Sequence, residues 1–70
     1  MVANLDEKAV KTLTKLLKEA RENANLTQSQ VAEKSGMHVQ YYAGIEQGRV
    51  NTSWDKLYRI FQVLKIKLSS

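Results

Sequence analysis

His38 is the single histidine of the chain, and by type it is the residue best suited to acid–base or metal chemistry. It has little to work with. No serine and aspartate are spaced to complete a nucleophilic triad around it. One histidine without cysteine cannot build a zinc site, and the absence of cysteine also excludes disulfides and thiolate ligands. The three glycines, Gly36, Gly44 and Gly48, do not form a phosphate-cradling loop. No metal, no cofactor and no enzymatic activity are expected. The remaining chemistry is surface recognition by amides, hydroxyls and cations.

Charge points the same way without deciding it. Eleven Lys/Arg against seven Asp/Glu give a net +4. A basic balance favours polyanionic partners, and it is equally a common solubility feature. Seventy residues allow one small domain, read here as residues 1–70, with a core too thin to enclose a deep substrate cavity. No apolar run is long enough for a membrane span. The N-terminal MVANLDEKAV carries early acids and no apolar core segment, so no secretory signal is expected and cytoplasmic location is the default.

The elements that must position any binding residues read as helices. Proline is absent, and Leu, Lys, Ala, Glu and Gln are plentiful. Asn4 and Glu7 have capping-box spacing, with Asp6 in the first turn. Val10, Leu13, Leu17, Ala20 and Ala24 then recur at helical intervals, and Asn25 suits the left-handed stop. Thr27 and Gln30 form a second capping box ahead of a short helix over Gln28 to Lys34, with Val31 and Ala32 inward. Ser35-Gly36 breaks it. A third helix is expected from His38 to Gln47, with Met37, Tyr42 and Ile45 inward and Tyr41 competing. Ser53 caps a fourth, whose stripe is Trp54, Leu57, Tyr58, Phe61 and Leu64, widened by Ile60. The tail from Leu64 to Leu68 alternates apolar and basic residues, which suits a short strand or a helical turn. Two short helices joined by a tight glycine turn suggest a helix-turn-helix, whose second helix would fit a DNA major groove about 12 Å wide.

At this point the sequence resembles a known family. Leu26-Thr27-Gln28-Ser29-Gln30-Val31-Ala32, continuing through Gly36 to His38, looks like the motif of the Xre-type helix-turn-helix family, which includes the lambdoid phage repressors. The likeness runs on through Ile45-Glu46-Gln47-Gly48-Arg49 to Asn51, Ser53 and Trp54, and covers about residues 13 to 68. It implies an all-α, compact bundle of four or five helices with the helix-turn-helix at about residues 27–47. It also implies a homodimer on a pseudo-palindromic operator in double-stranded DNA.

The resemblance assigns roles residue by residue. Thr27 and Gln28 open the second helix, where the family contacts phosphate. His38, Val39 and Gln40 open the third, where it reads bases. Gln40 is the strongest candidate, since its amide can bond adenine N6 and N7 together, and Val39 suits a thymine methyl. Gly44 would allow close backbone approach to DNA. Arg49 and Asn51 follow in a loop that the family sets against phosphates. Arg21 and Glu46 match a structural ion pair. Tyr42 departs from the family's Ile or Val, and its hydroxyl is expected at the surface within reach of a phosphate. Thr52 replaces a common proline. Trp54 takes the place of a core leucine and is expected in the core. Phe61, Leu64, Ile66 and Leu68 are the expected dimer contact. An alternative implied by the short chain and its alternating tail is an antitoxin-type protein that binds a toxin partner and represses its own operon.

Overall fold

The computed structural model describes residues 7–65, and four helices follow one another along them. They are α1 (Glu7–Asn23), α2 (Gln28–Lys34), α3 (Val39–Glu46) and α4 (Trp54–Val63). No strand occurs among the described residues. The capping reading at Asn4 and Asp6 lies outside them, as does the strand-or-turn question beyond Lys65; Leu64 and Lys65 themselves form the cap and turn that end α4.

Local chemistry sets each boundary. Asn25 takes φ +59, and Leu26 N–H returns to Arg21 O at 3.2 Å, closing α1. Thr27 then starts α2 with a complete capping box. Its Oγ1 accepts from Gln30 N–H at 3.0 Å, and its own N–H donates to Gln30 Oε1 at 2.8 Å. Gly36, at φ +72, reverses the chain so that Met37 N–H reaches Ala32 O at 2.9 Å. A side chain in that backbone conformation would be strained, which is why the turn carries glycine. His38 is the N-cap of α3 and makes no side-chain capping bond. Ser53 caps α4 by accepting from Lys56 N–H at 3.3 Å.

One core holds the helices together. Leu17 of α1, Val31 and Ala32 of α2, Tyr42 and Ile45 of α3, and Leu57, Ile60, Phe61 and Leu64 from α4 and its cap are buried in a single cluster. Leu13, Ala20, Leu26, Met37, Tyr41, Val50 and Val63 pack around it, half-buried. The α2–α3 pair thus rests on α1 and α4.

The structure corrects the reading of α4. Trp54 is 50% exposed and Tyr58 47% exposed, so neither is a core residue. At 100° per residue, Leu57, Ile60, Phe61 and Leu64 define an arc, and Trp54 lies about 70° and Tyr58 about 110° from its centre. Trp54 meets the core only at its edge, through a T-shaped contact with Phe61 at 6.5 Å between ring centroids.

Phe61 and Leu64 are corrected as well. Both are buried within the single chain, and their surfaces are already used there. Ile66 and Leu68, the other two expected dimer contacts, lie outside the described residues.

Candidate nucleic-acid interface

α3 divides sharply into two sides. Tyr42, Gly44, Ile45 and Glu46 are buried, while Val39 and Gln40 are exposed together with the cap residue His38. The same outward side carries Ala43, half-buried, and Gln47, exposed just beyond the helix. Ala43 and Gln47 stand four and eight residues after Val39, and helical spacing alone would have placed them on the exposed stripe. The stripe is polar and apolar but carries no carboxylate. That suits close approach to the edges of base pairs.

Behind the stripe, a buried ion pair holds α3 to α1. Arg21 Nε donates to Glu46 Oε2 at 2.8 Å and Nη2 to Oε1 at 3.0 Å, a bidentate pairing. Arg21 Nη1 donates to Leu26 O at 2.9 Å, so the same guanidinium also fixes the entry to α2. Gln28 Nε2 adds a longer bond to Glu46 Oε1 at 3.3 Å. Burial pushes the Glu46 carboxyl upward, but Arg21, with Tyr42 and Gln28 beside it, outweighs burial and holds its pKa below the ordinary value. Arg21 is shifted upward, chiefly by its hydrogen bond to Glu46.

Three assigned residues look different once placed. Tyr42 is fully buried, and its hydroxyl lies by Glu46 without a hydrogen bond of good geometry. It cannot reach a phosphate, because ring and hydroxyl alike are closed off from the surface. Burial first, then the Glu46 carboxylate, drives its pKa well above that of an ordinary phenol. Gly44 is buried too. The side chain of Val50 lies directly over it, so its missing Cβ admits the loop and not a duplex. Gln28 is half-buried and its amide is engaged with Glu46, an internal duty that the sequence did not reveal.

The loop after α3 is held to the helix. Arg49 N–H donates to Gly44 O at 2.8 Å, and Arg49 Nε donates to Gln47 Oε1 at 2.7 Å. The second bond directs the guanidinium alongside the exposed end of the stripe. Tyr41 Oη lies 3.4 Å from both Asn51 O and Thr52 Oγ1, and Lys56 Nζ sits 5.3 Å from the centre of its ring. Arg49 and Asn51 are exposed, as is Thr27 at the start of α2. Thr52, in place of the family's proline, is buried beneath Tyr41.

A short capped helix, a tight glycine turn and a second helix with an exposed leading end define a helix-turn-helix. The model of the helix-turn-helix family matches residues 17–70. The chain belongs to this Xre-type family, and with it to the DNA-binding regulators, which are not an enzyme family. Searches of curated proteins and of solved structures give no match. Among the described residues no helix is long and apolar enough to cross a membrane, and no group of side chains could hold a metal ion.

Proposed function

We propose that this protein is a sequence-specific transcriptional repressor that binds a pseudo-palindromic operator as a homodimer in the cytoplasm. α3 enters the major groove by its leading end. His38, Val39 and Gln40 meet base edges, with Gln40 as the adenine reader and Val39 against a thymine methyl. Thr27 at the start of α2, and Arg49 and Asn51 after α3, hold phosphates on either side of the groove. Gln28 contributes from within by fixing Glu46.

One observation carries this reading: at the leading end of α3 the exposed side chains of His38, Val39 and Gln40 make no hydrogen bond or ion pair among the described residues, while the buried side of the helix is anchored by Arg21 and by the core. A rigid helix with a free, carboxylate-free face is the part that groove reading needs. Two such helices in a dimer would stand about 34–36 Å apart to read successive major grooves.

The test is selection from a random duplex library, followed by titration of the selected site with salt. A single enriched half-site motif is expected, with log K falling by about 0.9 per decade of salt for each phosphate neutralised. Absence of enrichment, or binding insensitive to salt, overturns the proposal.

A second reading, an antitoxin that also binds a toxin partner, draws on Trp54 and Tyr58. These exposed aromatics sit one turn apart on α4, which is common in protein interfaces. A toxin-like reading frame beside the gene, whose product co-purifies with this chain, would favour it.

A further inference from the structure

Gly44 and Val50 make a small joint whose placement bears on base reading. Around α3, Gly44 lies about 40° beyond Gln40, at the edge of the exposed stripe. A side chain there would have continued the stripe. Glycine leaves the position empty, and Val50 fills it from the loop. A Cβ added to Gly44 would collide with Val50 Cγ2 and lie 3.3 Å from Val50 Cβ. Val50 is only half-buried, although it packs on the core at its inner side.

The seat is held from both ends. Arg49 N–H to Gly44 O, at 2.8 Å, fixes the residue before Val50. Tyr41 Oη, 3.4 Å from Asn51 O, restrains the residue after it. Val50 is thereby carried on α3 almost as though it were one of its own side chains.

We propose that Val50 is a base-reading residue, specific for a thymine 5-methyl group at the step beside the one read by Gln40, and that Gly44 positions it. The inference rests on the DNA-reading function proposed above. The chemistry is apolar contact alone: an isopropyl group has no hydrogen-bonding atom, and the thymine methyl is the apolar feature of the major groove. Arg49 and Asn51, its neighbours in the chain, keep their phosphate roles.

The experiment uses the operator selected from a random library by the wild-type chain. Each thymine is replaced singly by deoxyuridine, which removes only the methyl group. The wild type is expected to lose about fourfold in affinity at each step where a methyl is read, the equivalent of one buried methylene. Val50→Ala abolishes that loss at one step per half-site, while Val39→Ala abolishes it at a different step. Gly44→Ala, which keeps Val50 but drives it from its seat, gives the Val50→Ala pattern. Thermal melting of each variant reports on folding, and a merely structural loss would weaken all steps alike. The inference is overturned if Val50→Ala and Gly44→Ala keep the wild-type uridine profile, or if the wild type shows no uridine sensitivity beyond the Val39 step. A wild type that selects no sequence at all overturns the DNA-reading function itself, which is a separate outcome.

Discussion

Arg21 and Glu46 stand 25 residues apart in the chain and meet through two bonds, at 2.8 and 3.0 Å, that join α1 to the last turn of α3. The Glu46 side chain is 4% exposed and that of Arg21 14%. Such a pair need not add net stability, but loss of one partner leaves the other charge buried alone. Arg21→Met is therefore expected to cost about 3 kcal/mol in urea unfolding, toward the lower end for a buried pair. Arg21→Met with Glu46→Leu should recover much of that loss. A single variant as stable as the wild type would show that the pair is not buried in solution.

The same carboxylate sets a pH dependence. Its pKa is held below the ordinary value in the folded chain, so its contribution to stability is present above the unfolded carboxyl pKa, about 4.3. It is lost as pH falls through the folded pKa. Melting temperature should drop with acidification below about pH 4.3, and Glu46→Gln should flatten that drop. An identical acid limb in both proteins would assign the loss to other carboxylates.

Trp54 is the chain's single tryptophan, so its fluorescence reports one position. Half-exposed, it should emit toward the red and be quenched readily by acrylamide. Trp54→Ala should be milder than Leu57→Ala, which empties a site in the core and should cost about 2–5 kcal/mol. Blue-shifted, quencher-resistant emission would contradict the placement at the helix edge.

Much of this was legible in the sequence, and the failures share a cause. Capping at Thr27 and Gln30, the turn at Gly36 and the stripe of α1 are local, set by residues within a turn of one another. Trp54 failed because spacing tells which residues share a stripe but not where its centre falls; burial of Ile60 shifts the arc away from the indole. Gly44 failed because the atom that explains it belongs to Val50, across the end of the helix, where no periodicity reaches. For Tyr42, residue type suggests a buried ring with a wet hydroxyl, but the core is deep enough to take both. The Arg21–Glu46 contact was implied only by the family resemblance, since nothing in composition or spacing says that two distant charges meet.

Dimerisation can be separated from folding with two variants. Ile66→Asp is expected to lower the dimer fraction in sedimentation while leaving the helical signal intact. Leu64→Asp places a charge in the buried cluster and should unfold the chain instead. Unchanged sedimentation of Ile66→Asp would remove the tail from the dimer contact.

The most direct test of groove reading by α3 compares Gln40→Ala with Arg49→Ala in library selection and salt titration. Gln40→Ala should relax the choice at one base step, losing about 1–3 kcal/mol of discrimination there. Arg49→Ala should weaken all sequences alike and reduce the salt slope by about one. If Gln40→Ala selects the same motif with the same stringency as the wild type, the leading end of α3 is not at the base edges, and the account fails at its centre.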